Sequence, residues 1–490
     1  MNMPASPVAT VADDPTLERL PSGIPGLDAV LCGGFFRAGV YMVVGTPGSG
    51  KTILANQLCY NHVAAGGKAV YVTLLAESHS RMLQHLRQFS FFDETVIPDR
   101  LSYVSAFSQL EADGLKGLLD VLRREMRARR VSLLVLDGLV AASEAAQSDR
   151  DLKKFIHELQ TSAVFHGCTV FLLTSGGVQR VSAEHTMVDG LLELQDQLFD
   201  ARCERYLHVR KFRGGDSLRG KQSFRITQEG LRFYPRIELV VGQRPHAMAH
   251  EQVVSTGIAS LDAMIGVGGL PGESASVVVG STGTGKTTLG LHFLSGSTPQ
   301  APGLMFSFFE SPDRLRAKAR AFGMDFESLE ASGALSVVWH PQGEHLLDEL
   351  GHRLLDEASR LGIKRLVIDG LSGFFEAVTY PERMNRFFSC LVNELRDRGV
   401  TVLMTLETRD VVSSTVATPY GVSGFVDNLL FLRFVEAHGQ VKRLLTVTKM
   451  RDTSFDVGMH AVEIGSAGMS IAGLYTSVAD VIPSAAAVGK

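Results

Sequence analysis

Two short glycine-rich stretches carry residues whose types and spacing suit phosphate chemistry. Residues 45–52 read Gly-Thr-Pro-Gly-Ser-Gly-Lys-Thr, and residues 280–287 read Gly-Ser-Thr-Gly-Thr-Gly-Lys-Thr. Glycines let successive backbone N–H groups turn towards one anion, and a following helix adds partial positive charge. Both stretches fit G-x-x-x-x-G-K-[ST] and follow apolar runs, so each predicts a loop that binds nucleotide phosphates. A glycine-rich turn that matches by chance is the alternative, and the duplication argues against it.

The positions of these loops have separate predicted roles. Lys51 and Lys286 would reach the β- and γ-phosphates of ATP, and the hydroxyls of Thr52 and Thr287 would ligate Mg²⁺. The predicted ATP-binding residues are Gly45, Thr46, Pro47, Gly48, Ser49, Gly50, Lys51 and Thr52 in the first loop, and Gly280, Ser281, Thr282, Gly283, Thr284, Gly285, Lys286, Thr287 and Thr288 in the second.

The two loops belong to a repeat that covers most of the chain. The segment that ends at Asp28 returns in similar form at Asp262 (262 − 28 = 234). Each copy alternates apolar runs with amphipathic stretches, which is typical of βαβ units and of a mostly parallel sheet with helices on both faces. We therefore predict an α/β fold with two tandem domains and a linker within residues 237–253. The predicted segments are a tail at 1–19, domains at 20–245 and 246–475, and a short tail at 476–490.

Two acids in each copy end predicted strands. Asp137 and Asp369 follow apolar runs, and ligands of such sheets collect at the carboxyl ends of the strands. We predict that both hold Mg²⁺ opposite the loop threonine; the alternative is that each only caps the next helix. Glu77 and Glu310 end the strand after each loop helix. They are candidates to polarise the attacking water, or else solvated acids at a helix N-terminus.

A third matched element comes late in each copy. It reads Lys211-Phe-Arg213 in the first and Lys449-Met-Arg451 in the second. Residues two apart on a strand face the same side, so both cations of a pair would point one way. A charged edge strand is the alternative, but repetition in register favours a phosphate-facing role. Further basic residues within 202–225 predict either an inter-subunit surface or a patch for polyanions.

Composition excludes several classes of protein. A net charge of −4 and a pI near 6.4 give no global case for nucleic-acid binding. The five cysteines are scattered and lack C-x-x-C spacing, which predicts core thiols in a reducing compartment. The N-terminus lacks the apolar core of a signal peptide, and no apolar run approaches the length of a membrane span. We therefore expect a cytoplasmic protein with no membrane partner.

With these residues in view, the chain resembles the KaiC family, RecA-superfamily ATPases of the circadian clock, over roughly residues 20–475. The resemblance rests on the opening at residues 22–28, both loops, Lys-Phe-Arg-Gly and Lys-Met-Arg. It implies two tandem RecA-like P-loop domains, a homohexamer with nucleotide at subunit interfaces, and regulatory protein partners. It also implies that four cations reach a neighbouring subunit's γ-phosphate. They are Lys211, Arg213, Lys449 and Arg451.

The sequence departs from the family pattern at places that bear on activity. Each copy keeps one glutamate where the family usually has two in succession, which predicts slow hydrolysis. The family's phosphoacceptor Ser-Thr pair aligns with Ser423-Gly424, so Ser423 and the upstream Thr418 are the phosphoacceptor candidates. The tail after Met469 lacks most of the family's regulatory extension.

The leading hypothesis is a Mg²⁺-dependent ATPase that forms a hexameric ring, acts as a nucleotide-driven regulatory switch, and has serine/threonine autokinase activity in its second domain. Two alternatives stay open. One is a RecA-like, DNA-dependent ATPase of recombination or repair, favoured by the basic stretches. The other is a nucleotide-gated scaffold with weak hydrolysis, favoured by the single glutamates.

Overall fold

The fold is taken from a computed structural model. It describes residues 18–74, 79–176, 186–241, 252–341, 343–408, 419–437 and 440–475. The chain divides into two compact units, Met1–Arg236 and Ile237–Lys490. The predicted domain boundary after residue 245 stays a prediction, and the helix Ile237–Val240 groups with the second unit. Within the described ranges, no helix combines the length and hydropathy needed to cross a membrane.

The described part of the first unit contains a two-stranded and a nine-stranded sheet. The strands are β1 (Arg19–Leu20), β2 (Phe35–Phe36), β3 (Val40–Gly45), β4 (Ala69–Thr73), β5 (Leu101–Ser105), β6 (Leu133–Asp137), β7 (Thr169–Ser175), β8 (Gly190–Phe199), β9 (Arg202–Phe212), β10 (Lys221–Thr227) and β11 (Gly230–Tyr234). The large sheet has the order β11-β10-β9-β8-β3-β7-β6-β4-β5. The strands from β8 to β5 are parallel, and β9, β10 and β11 are antiparallel additions at one edge.

Helices cover both faces of this sheet. They are α1 (Leu27–Val30), α2 (Lys51–Ala64), α3 (His79–Leu86), α4 (Phe107–Arg129), α5 (Leu139–Ala145) and α6 (Asp149–His166). The bounds of α6 follow from local capping, because the Ser148 side chain accepts from the Asp151 N–H and Gly167 adopts a left-handed conformation. The buried side chains form two clusters, one on each face of the sheet, and β3 contributes alternate residues to both.

The second unit repeats this architecture. Its strands are β12 (Val253–Val254), β13 (Leu270–Pro271), β14 (Ala275–Gly280), β15 (Gly303–Ser307), β16 (Leu335–Trp339), β17 (Arg365–Asp369), β18 (Thr401–Glu407), β19 (Asn428–Ala437), β20 (Gln440–Lys449), β21 (His460–Gly465) and β22 (Gly468–Leu474). Its helices are α7 (Ile237–Val240), α8 (Ala259–Asp262), α9 (Lys286–Ser295), α10 (Pro312–Ala321), α11 (Phe326–Ala331), α12 (Leu347–Leu361), α13 (Ser372–Glu376) and α14 (Met384–Asp397). Among the described residues, the large sheet has the order β16-β15-β17-β18-β14-β19-β20-β21-β22.

The predicted fold class is confirmed, since both large sheets are mostly parallel and carry helices on both faces. Strands β4 and β15 are shorter than the apolar runs that predicted them, because Thr73 and Ser307 end them and the next apolar side chains pack in the turn. Strands β9 and β20 end at Phe212 and Lys449, so the arginine of each Lys-x-Arg element follows its strand.

Candidate functional site

The two glycine-rich loops connect a buried strand to a helix at matching places in the two sheets. The first joins β3 to α2, and the second joins β14 to α9. The residue before each helix is a glycine with positive φ, 100° at Gly50 and 108° at Gly285. A Cβ at Gly50 would lie 2.8 Å from Ile226 Cδ1, and one at Gly285 would lie 2.6 Å from Met469 Cε. Backbone conformation and space therefore both require glycine here.

The loop lysines fold back over their own loops. Lys51 Nζ donates to the carbonyl oxygens of Gly45 at 2.7 Å and Thr46 at 3.0 Å. Lys286 Nζ donates to those of Gly280 at 2.9 Å and Ser281 at 2.8 Å. Burial lowers the pKa of both lysines, and nearby carboxylates oppose this shift. Each ammonium group therefore lies where a bound phosphate would meet it.

In the second unit, an acid and two hydroxyls meet beside the loop. Asp369, at the end of β17, is buried, and Thr287 Oγ1 lies 3.2 Å from both of its carboxylate oxygens. Thr405 Oγ1 donates to Asp369 Oδ1 at 2.7 Å. Burial raises the pKa of Asp369, and the hydroxyl donors oppose that rise. Carboxylate and hydroxyl oxygens are the ligands that Mg²⁺ prefers, so these residues fit the predicted metal.

In the first unit, Asp137 lies at the end of β6 and accepts a hydrogen bond from Tyr71 Oη at 2.6 Å. Thr52 also donates to this carboxylate from the start of α2. Burial raises the pKa of Asp137, and the hydrogen bond from Tyr71 and the charge of Lys51 oppose the rise. The threonine and the aspartate predicted to hold Mg²⁺ therefore meet in this unit too, but a tyrosine completes the arrangement.

A cavity of ≈ 400 Å³ opens beside the second loop. The loop, Asp369 and Glu310 line it, together with three residues that the sequence analysis did not select: Phe309, Lys318 and Glu407. Glu310 forms an ion pair with Lys318 inside the cavity. Glu407 ends β18 and accepts from Thr282 Oγ1 of the loop. The rule that selected Asp369, an acid at the carboxyl end of a strand, could also have found Glu407. Glu77 lies outside the described residues.

The Lys-x-Arg element of the first unit lies away from that unit's own loop. Lys211 is level with Leu191, which is level with Met42, three residues before the loop begins at Gly45. At about 3.3 Å per residue, this places Lys211 about 10 Å back along the strand direction. Lys211 Nζ and Arg213 Nη2 donate to the backbone oxygen of Thr186 at 2.7 Å and 3.1 Å.

The second unit has the same arrangement. Lys449 is level with Leu429, which is level with Val277, three residues before Gly280. Arg451 contacts Asp427 at 3.3 Å. Lys449 Nζ donates to the backbone oxygen of Ser423 at 2.7 Å. In both units these cations therefore lie towards the opposite end of the sheet from their own phosphate loop.

The predicted phosphoacceptor Ser423 is exposed and lies in the short 3-10 segment Pro419–Gly424. Thr418, the other candidate, lies outside the described residues. The basic stretch within 202–225 is largely paired with acids. Arg202 contacts Glu204 at 2.6 Å, and Arg210 contacts Glu193 of the adjacent strand at 2.7 Å. These pairs reduce the charge that a polyanion would meet.

Duplicated phosphate loops at the carboxyl ends of parallel strands, each with a lysine, a threonine and a strand-end aspartate, define a P-loop ATPase with two nucleotide-binding domains. Comparison with known proteins gives the family. The model of the KaiC ATPase family matches residues 20–238 and again residues 254–474. The chain belongs to the KaiC ATPase family.

Curated relatives match nearly the whole chain. The circadian clock protein KaiC3 of Synechocystis sp. is 27% identical over 484 residues, which cover 95% of this chain and 94% of the relative. The circadian clock oscillator protein KaiC of Picosynechococcus sp. is 26% identical over 470 residues, which cover 93% and 90%. The protein of that name from Rippkaea orientalis is 25% identical over 488 residues, which cover 96% and 92%.

Proposed function

We propose that this protein is a Mg²⁺-dependent ATPase that works as a homohexameric ring, with each nucleotide held between two subunits. The position of the Lys-x-Arg elements carries the proposal. Each lies about 10 Å along its sheet from its own loop, so it is poorly placed to contact its own nucleotide. A cation that serves the γ-phosphate from a neighbour would couple hydrolysis to assembly.

Each group has a specific part in this mechanism. The loop N–H groups and Lys51 or Lys286 bind and orient the phosphates. Thr52 with Asp137, and Thr287 with Asp369, would hold Mg²⁺, which bridges and neutralises phosphate oxygens when bound. Glu77 and Glu310 are the proposed acids that orient the attacking water. Glu310 must first release Lys318, its partner in the ion pair, and this step would slow the second site.

Mixed rings test the arrangement between subunits. One chain carries Lys51→Ala and Lys286→Ala, and the other carries Arg213→Ala and Arg451→Ala. If each loop uses its neighbour's arginine, rings co-purified through two different tags hydrolyse ATP although neither chain alone does. A mixture no more active than its two separate components would overturn the proposal. Native mass measurement with and without ATP checks that the assembly is a hexamer.

We also propose serine/threonine autokinase activity in the second domain, at Ser423 or Thr418. The supporting observation is that Ser423 is exposed and its backbone oxygen binds Lys449, a cation proposed to reach a neighbour's γ-phosphate. Incubation with ATP labelled at the γ-phosphate, followed by phosphopeptide mapping, should find label in the peptide that contains both residues. Label that persists in a Thr418→Ala, Ser423→Ala chain would contradict this assignment.

The nucleotide-gated switch with weak hydrolysis remains a second candidate, because the pairing of Glu310 with Lys318 favours it. Lys318→Met would free Glu310 and should raise phosphate release at the second site if Glu310 orients water. Measured in a Lys51→Ala chain, an unchanged rate would favour the switch. Regulatory protein partners fit either candidate, through ring shapes that change with the bound nucleotide.

A further inference from the structure

Tyr71 is a buried tyrosine whose hydroxyl reaches the nucleotide site of the first unit. Its side chain is fully enclosed within the sheet on β4, and Oη donates to Asp137 Oδ2 at 2.6 Å. Asp137 is level with Thr73, two residues further along β4, so Tyr71 and Asp137 point to the same face of the sheet. The tyrosine ring therefore lies beneath the acid.

The second unit supplies the same kind of donor from the opposite side. There Asp369 is level with Ser307, so the position that corresponds to Tyr71 is Met305, which has no hydroxyl. Asp369 accepts instead from Thr405, on the strand that flanks it on its other side.

In the first unit, the position level with the acid on that other strand is Leu173, which cannot donate a hydrogen bond. The two copies have thus exchanged the strand that supplies the hydroxyl, and each has kept one donor.

Physical chemistry gives a reason for one donor in each copy. A buried carboxylate without hydrogen bonds is costly, and its orientation is poorly fixed. A single donor on one oxygen holds the group in place and leaves acceptor capacity for the threonine hydroxyl and a metal ion. Hydrogen bonds from outside the ligand set commonly change metal affinity by about 10–100-fold.

We propose that Tyr71 is a positioning residue of the first nucleotide site, which orients Asp137 towards Thr52 and thereby sets the affinity of this site for Mg²⁺. Thr405 performs this role for Asp369 in the second site. The inference rests on the proposed function, in which Asp137 and Asp369 hold the metal ion.

The test measures Mg²⁺ dependence in place of activity. Binding of a fluorescent ATP analogue is followed while Mg²⁺ is titrated, in a chain carrying Lys286→Ala so that the first site reports. Tyr71→Phe should raise the Mg²⁺ concentration for half-maximal binding about tenfold. Tyr206→Phe is the matched control, because it removes a buried hydroxyl that donates to another carboxylate, Glu204. This control should leave the midpoint unchanged.

A second substitution restores the donor. Leu173→Thr, added to Tyr71→Phe, places a hydroxyl level with Asp137, where the second unit has Thr405. It should return the Mg²⁺ midpoint to within about threefold of the original, given that one donor is enough in the second unit. A merely structural role of Tyr71 would lower thermal stability without a change in midpoint that Leu173→Thr reverses.

The outcomes separate this inference from the proposed function. If Asp137→Asn shifts the Mg²⁺ midpoint and Tyr71→Phe does not, the role of Tyr71 is refuted and the metal site stands. If Asp137→Asn leaves the midpoint unchanged, the proposed metal site itself fails. Should Tyr71→Phe not fold, Thr405→Val in a Lys51→Ala chain tests the same rule at the second site. An unchanged midpoint there would overturn the inference.

Discussion

Replacing the two loop lysines with alanine tests ATP binding most directly. Each lysine now donates two hydrogen bonds to neutral carbonyl oxygens of its own loop. A bound nucleotide would replace these acceptors with anionic phosphate oxygens. The gain is about 1–1.5 kcal/mol for each bond, or about 2–3 kcal/mol for each lysine. Because about 1.4 kcal/mol is a factor of ten, Lys51→Ala and Lys286→Ala should each weaken binding at their own site by about 30- to 150-fold.

Titration with a fluorescent ATP analogue checks this magnitude. Each single variant should keep one tight site, and the double variant should keep neither. Lys364→Ala is the matched control, because Lys364 Nζ also donates to a backbone oxygen, that of Arg398 at 2.9 Å, outside both loops. The reasoning would be refuted if the double variant bound the analogue within about threefold of the unaltered chain, since two lost lysines predict a far larger change.

Two further predictions concern the stability of the second unit. Arg383 pairs with the buried Asp348, so Arg383→Met should destabilise this unit by about 3–5 kcal/mol in urea unfolding, whereas Arg360→Met, at an exposed pair, should cost less than about 1 kcal/mol. Equal effects would contradict the assigned burial. His340 is buried beside Phe306, and burial lowers its pKa to about 4. Its neutral form therefore stabilises the fold above about pH 6.5, and roughly 2–3 kcal/mol of this is lost as pH falls towards 4. Thermal melts of His340→Phe should show less acid destabilisation; an identical pH profile would refute it.

The elements of the fold could largely be predicted from sequence. The apolar run before Gly45 and the glycines after it dictate a strand, a loop and a helix through local conformation, and the second copy repeats these signals. Strand ends were less predictable. Apolar residues such as Leu74 and Phe308 continue past the ends of β4 and β15, because they are buried in the turns that follow.

Charge was harder to interpret from the sequence. The basic stretch in β9 looked almost free of acids, yet Glu193 and Asp196 of β8 lie opposite its arginines. These acids are distant in sequence and are brought there by an antiparallel register. Their charges therefore could not be assigned to the patch before the pairing of strands was known.

The sequence by itself determined the two phosphate loops, the strand-end acids Asp137 and Asp369, and the duplicated Lys-x-Arg elements. Each depends on neighbours along the chain, through glycine conformation, strand periodicity and helix starts. Only the tertiary structure decided which hydroxyl meets each acid, Tyr71 in one unit and Thr405 in the other, and that Glu310 is paired with Lys318. Those contacts are set by the pairing and packing of elements apart in sequence, where burial makes one missing or added donor consequential.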